Sequence, residues 1–260
     1  MKNNPGRAFV VVCALAAAVS WPAPARAQMS DTKEKPPMYS YVSDWTIARA
    51  QWADMEKGNA SDEPILSKAL AAGTLIGYGN DSTLMHQPDA STHDDWWSSM
   101  SLAGLLNVLE QFYKAGNATS PVLEGATKHS DSIYVSRHYN WHSGSWKGVY
   151  TRVSTYKLKA DAPDDAVEVL SKNLFVPVLE KLMADGVVHE YEIDEEAFHT
   201  EAPGTIMIAV IMANAEGLDK YNAAVRDAVK ASPLAVPALG SMVDFNPHRD
   251  YLLRTNATFK

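Results

Sequence analysis

Two stretches hold the residue types from which a reactive or binding site could be assembled. The first is His93-Asp94-Asp95-Trp96-Trp97. Alternate residues of a β-strand share a face, so His93, Asp95 and Trp97 would lie on one side and Asp94 and Trp96 on the other. An imidazole beside a carboxylate suits proton transfer, and indoles grip apolar or aromatic molecules. His93 and Asp95 are therefore the candidate catalytic groups, with Trp96 and Trp97 as ligand contacts. The plainer alternative is that His93 and Asp94 end a solvated loop while the tryptophans fill core space. The second stretch is Arg137-His-Tyr-Asn-Trp-His-Ser-Gly-Ser-Trp146. Tyr139 and Trp141 join the ligand-binding set here, or plug the mouth of a fold. His138 and His142 share a strand face but stand about 13 Å apart along it. To share a metal they would need a bend, for which Asn140 and Gly144 give scope, and a third ligand such as His86 or Asp95. His86 thus belongs to both the ligand-binding set and the metal candidates His86, His138 and His142. No glycine-rich phosphate loop, Gly-x-Ser-x-Gly elbow or His-Glu-x-x-His helix is present, which removes the usual marks of nucleotide enzymes and hydrolases.

The elements that must position these residues come from an internal repeat. Pro64, Leu66, Lys68, Ala71, Gly73, Tyr78, Asp81 and His86 recur 113 residues later at Pro177, Leu179, Lys181, Ala184, Gly186, Tyr191, Asp194 and His199, and Gly104-Leu105 recurs at Gly217-Leu218. Such self-similarity marks duplicated units. In the second unit, periodicity predicts a strand over 148–159, a helix over 163–186 interrupted by Pro177, strands over 187–193 and 205–212, a helix over 218–229 and a strand over 241–246. The first unit predicts the same order: strand 38–47, helix 48–72, strands 74–79 and 94–100, helix 102–113, strand 132–139. Ile206-Met-Ile-Ala-Val-Ile-Met212 is apolar at every position, so both of its faces must be covered.

Each unit is therefore βαββαβ, the ferredoxin-like order with helices on one face of an antiparallel sheet. The uncovered face of one sheet requires the other. The fold class is α+β: two tandem ferredoxin-like units packed sheet to sheet as an intramolecular dimeric α+β barrel. In element order and repeat, over residues 38–252, the chain resembles the dimeric α+β barrel superfamily, which includes antibiotic-biosynthesis-monooxygenase-like proteins, stress-responsive barrel proteins and haem-handling relatives. The resemblance implies a small-molecule pocket, with a haem or metal ion as an open alternative that the sequence does not require. Against Ile206, Ile208 and Val210 the first unit sets His93, Asp95 and Trp97, so the expected pocket lies in the first half, on this strand. Arg137 and Arg249, each two residues before a tyrosine, are expected to pair with carboxylates such as Asp194 or Asp81. Asp194-Glu-Glu196 reads as a solvated acidic loop.

Residues 1–27 read as a secretory signal, with Lys2 and Arg7, an apolar run over 8–19 and the exit Ala25-Arg26-Ala27. That run is too short for a permanent membrane span. A linker (28–37), the first unit (38–146) and the second (147–260) follow, and the expected location is periplasmic or extracellular. The only cysteine, Cys13, lies in the leader, so the mature chain has neither disulfide nor thiolate chemistry. The full sequence of 260 residues carries a formal charge of -8, which argues against nucleic acid or an anionic membrane surface as partner. Stable membrane insertion is not expected. The expected partner is a small molecule, bound by a monomer with an internal pseudo-twofold or by a homo-oligomer. Three functions fit: an enzyme acting on a small apolar or aromatic molecule, a non-enzymatic carrier of one, or a haem or metal protein.

Overall fold

The computed structural model describes residues 35–88, 90–198 and 204–260. The leader, most of the linker and His199 lie outside the described residues. The first half runs β1 (Met38–Thr46), a 3-10 turn, α1 (Trp52–Ala71), β2 (Gly77–Thr83), β3 (His93–Ser99), α2 (Leu102–Ala115), a short α3 (Pro121–Glu124) and β4 (Lys128–Trp141). The second runs β5 (Ser145–Trp146), β6 (Val149–Leu158), α4 (Ala166–Leu170), a π turn, α5 (Val176–Ala184), β7 (Val188–Glu196), β8 (Thr205–Met212), α6 (Ala215–Ala231), α7 (Ala235–Met242) and β9 (Val243–Phe259).

Local chemistry sets the boundaries. Ser101 caps α2 by accepting from the Gly104 N–H at 3.1 Å, and Asn214 caps α6 by accepting from the Gly217 N–H at 3.0 Å. The repeated glycines let each helix start lie close on the preceding strand. A Cβ on Gly104 would stand 2.5 Å from Ser99 Oγ, and one on Gly217 3.1 Å from Met212 Cβ. Pro177 falls in the first turn of α5, where its missing N–H breaks no helical bond, and the break expected there is the π turn Ser171–Phe175. Its repeat mate Pro64 lies inside α1, which runs on past it. Two boundaries differ from expectation. The last strand continues to Phe259 through a register shift, and β2 begins at Gly77 because Thr74 and Leu75 still bond back to Ala69 O.

Each half forms a four-stranded antiparallel sheet, ordered β2-β3-β1-β4 and β7-β8-β6-β9. Antiparallel pairing of β4 with β7 and of β2 with β9 joins the two sheets edge to edge. The eight long strands therefore close into a barrel, with β5 appended to β9. Closure leaves one face of every strand toward the helices and one toward a lumen. Outside, Tyr41, Trp97, Leu105, Val108 and Phe112 form the core under the first-half helices. Ile206, Ile208, Val210 and Met212 of β8 pack with Leu179 and Leu182 of α5 in the second. Among the described residues no helix is long and apolar enough to cross a membrane.

Gly79 shows how tightly the inner face is fitted. A Cβ there would meet the Trp96 ring at 2.6 Å and Ala257 O at 2.9 Å. Gly79→Ala is expected to lower stability by about 1–3 kcal/mol through overpacking, read as a shift in the urea midpoint.

Candidate functional site

The barrel encloses a cavity of about 860 Å³, lined by strands of both halves. It opens at the end where β1, β2, β6 and β7 finish. Its walls differ in chemistry. Met207, Ala209 and Ile211 of β8, Val153 of β6 and Leu253 of β9 make an apolar wall from three neighbouring strands. The remaining strands contribute Asp44, Asp81, Asp94, Glu190, Glu192 and Glu196. Just beyond them Asp194 is 0% exposed.

So many carboxyl groups out of water cannot all ionise, because burial disfavours the charged form and like charges disfavour each other. Asp81 and Asp94 sit directly opposite on β2 and β3. Burial and then Asp81 push Asp94 well above the ordinary range. Burial also raises Asp81, and hydrogen bonds, that from Trp96 Nε1 to Oδ2 at 3.1 Å among them, pull it part of the way back. Burial lifts Asp194 well above the ordinary range, helped by Glu192. At the floor, Lys260 Nζ lies 2.5 Å from Glu190 Oε1 and 3.2 Å from Glu192 Oε1. Its ammonium also stands 5.1 Å from the ring centres of Trp96 and Trp141. Burial alone would pull the Lys260 pKa down, but the two carboxylates outweigh it and hold the amine charged. One cation cannot neutralise two acids, so burial keeps Glu190 raised, to about 8, despite Lys260.

The sequence-derived residues are distributed around this lumen unevenly. The face partition of β3 holds, with Asp94 and Trp96 on one side and His93, Asp95 and Trp97 on the other. The lumen, however, takes the Asp94 and Trp96 face. Trp97 stacks on Tyr41 at 4.4 Å and donates to Leu105 O at 3.2 Å beneath the helices. Asp95 borders a separate cavity of about 100 Å³ under α1 and α2. With its amide turned toward acceptors, Asn59 donates to Asp95 Oδ1 at 3.2 Å. Burial and then Asp62 raise Asp95 to about 8. His93 is buried beside Thr92 Oγ1 at 3.0 Å and meets the Trp52 ring edge-on, as does the exposed His86. The expected pocket of the first half is thus corrected to one shared by both halves and served by the opposite face of β3.

The second stretch is divided by a bulge. Between Ser136 and His138 the β4 register shifts by one residue, which exchanges the faces. Tyr139 and Trp141 then stack at 5.5 Å on the inner side near Lys260. On the outer side Asn140 donates to Glu180 of α5 at 2.9 Å and His142 lies 3.3 Å from Met183 O. His138 is buried on that same outer side. His138, His142 and His86 do not converge, and among the described residues no three His, Cys, Asp or Glu side chains are grouped to hold a metal. Two further expectations are corrected. Asp194-Glu-Glu196 belongs to β7, not to a solvated loop, because alternation along Glu190-Tyr191-Glu192-Ile193-Asp194 turns every acid inward and each apolar residue outward. Arg249 donates to the carbonyls of Asn246 and His248 at the rim and pairs with neither Asp81 nor Asp194.

No family model matches the chain, and neither does any curated protein. Solved structures do match. A provisionally named monooxygenase from Fusobacterium nucleatum superposes with a TM-score of 0.64 at 6% identity, over 87% of this chain and 95% of that one. Another, from Lactobacillus acidophilus, gives 0.60 at 12% identity, over 87% and 97%. A mutant chlorite dismutase from Candidatus Nitrospira defluvii gives 0.52 at 11% identity, over 86% and 92%. The chain has the dimeric α+β barrel fold. In this barrel both halves come from one polypeptide, and the likeness extends to the fold alone.

A haem does not fit the residues of this barrel's lumen. None of His86, His138 and His142 lines it, and His129 at its rim has Nε2 engaged by Ser43 at 3.1 Å and Asp131 at 2.9 Å. The acidic side would also repel a porphyrin's own carboxylates. The lumen residues that sequence reasoning passed over are Asp81, Asp94, the acids of β7 and Lys260. The signal for β7 was the strict alternation of acid with apolar residue, and for Asp81 its recurrence at Asp194.

The raised carboxyl groups set a pH dependence. Asp95 and Glu190 keep protons in the folded chain that the unfolded chain releases near pH 4, so their contribution is full at acid pH and is lost as pH rises through about 8, and the raised Asp94 acts in the same direction. Urea midpoints are expected to fall between pH 5 and pH 8.5. Asp95→Asn is expected to remove one proton's share of that slope, about 1.4 kcal/mol per pH unit.

Proposed function

We propose that the barrel lumen binds a small organic molecule with an apolar or aromatic body. The observation that carries this reading is the two-sided cavity of about 860 Å³, which falls in the size range of small-molecule pockets and joins an apolar wall to a few convergent polar groups. Support also comes from the neighbours, whose names are those of small-molecule enzymes. Trp96 offers an indole face at the junction of the two walls. His93 and Asp95, on the far face of β3, have no part in it.

Ala209 projects into the lumen from the middle of β8. Ala209→Phe is expected to fill the cavity, and to weaken binding of the neutral fluorophore N-phenyl-1-naphthylamine at least tenfold while circular dichroism and thermal unfolding stay those of the parent. Unchanged binding in a folded variant would place the ligand elsewhere. We also propose export, on the strength of residues 1–27 alone. Sequencing protein recovered from the periplasm or medium is expected to begin at Gln28, and recovery only from the cytoplasm with an intact leader would oppose it.

A further inference from the structure

The lumen carries more acid than its own cation answers. Asp81 Oδ1, Glu190 Oε2 and both carboxylate oxygens of Asp194 are buried and accept no hydrogen bond among the described residues. Asp81 is 2% exposed and Glu190 3%, and both line the cavity. Leaving buried acceptors unmatched is costly, more so when they are charged, so a fold that keeps two of them, Asp81 Oδ1 and Glu190 Oε2, on residues of one cavity is arranged for a donor. Lys260 shows what kind. Its ammonium is wholly buried, yet two carboxylates and two indoles hold it charged at the floor of this same cavity. The remaining basic groups, Lys128, Lys157 and Arg249, stand at the opposite rim.

We propose that the lumen is selective for organic cations: an amine whose ammonium meets the facing carboxyl groups of Asp81 and Asp94, and whose apolar body lies on Met207, Ala209, Ile211 and Leu253. This rests on the lumen reading above and adds the ligand's charge. A bound ammonium supplies the donor that Asp81 Oδ1 lacks, and its field draws the raised carboxyl groups of Asp81 and Asp94 back toward ionisation. An anion meets an acidic wall. A neutral hydrocarbon leaves the acceptors unmatched.

The test is a matched series that displaces N-phenyl-1-naphthylamine: 4-phenylbutylamine, pentylbenzene and 5-phenylpentanoate, equal in body and different in charge. The amine is expected to displace the fluorophore at a concentration at least tenfold below the other two. Asp81→Asn combined with Asp94→Asn is expected to reduce the amine's advantage over pentylbenzene at least tenfold. The comparison of the three compounds on the parent protein needs no variant and stands whether or not the double variant folds. If pentylbenzene or 5-phenylpentanoate competes as well as the amine, while Ala209→Phe still abolishes fluorophore binding, the lumen is the site and the cation preference is wrong. If none of the three displaces a fluorophore that Ala209→Phe expels, the preference is likewise overturned. If Ala209→Phe leaves the fluorophore bound, the lumen reading falls and takes this inference with it.

Discussion

Every half-sheet in this molecule has two open edges, and an exposed row of backbone donors and acceptors is a liability that a fold must resolve. Here each half resolves the other's, β4 against β7 and β9 against β2. Once the ring is closed, the pleat leaves no choice: in each strand, successive residues alternate between the helices and the lumen. The outer positions answer to packing and are filled with aromatic and aliphatic side chains that the helices cover. Inner positions meet no helix at all. They face only the opposite wall, and that freedom is what permits a cavity with two unlike sides.

The acidic side is stable only through protonation and sharing. Seven carboxyl groups charged at once in a low-dielectric ring would repel one another by far more than the few kcal/mol that separate folded from unfolded chains. Asp81 and Asp94, opposite each other, hold protons above the ordinary range, and Glu190 and Glu192 divide one lysine. Hydroxyls fill some gaps: Ser40 donates to Glu192 at 3.1 Å, and Thr151 and Thr255 pair at 2.6 Å. The lumen is therefore a place where protonation state responds to whatever enters, because a nearby charge changes the balance for several acids together.

Much of the fold was legible because it rests on local pattern. The repeat gave two units, periodicity gave their element order, and the unbroken apolar run of β8 required cover on both faces. Even the division of β3 into two faces followed from alternation. What alternation cannot give is which face looks inward, since that depends on where the helices dock. The bulge after Ser136 was invisible for the same kind of reason: one residue of register decides whether Tyr139 or His138 meets the lumen, and register is a property of two strands together. Lys260 carried no signal at all, being a lone charged residue whose partners lie about seventy positions away, brought near by β9 and the closure of the ring.

The duplication itself accounts for the asymmetry of the lumen. In a barrel made from two identical chains each inner residue would appear twice, and an acidic wall would face its own image. Fusing the halves lets equivalent positions diverge, and they do so by exchange. Gly79 pairs with Trp96 in the first half, and at the same positions Glu192 pairs with Ala209 in the second. The larger side chain moves from one strand to its neighbour, and a glycine or an alanine stands opposite it. Further down, Gly77 makes room for the stem of Lys260, whose ammonium reaches the glutamate at the equivalent position, Glu190. Asp94 likewise answers to Met207, and Ser98 to Ile211. Each swap conserves the space that closure demands while moving charge to one side and hydrocarbon to the other. Such a pattern gives the lumen a direction, so that a molecule with one polar and one apolar end has a single preferred way to lie in it.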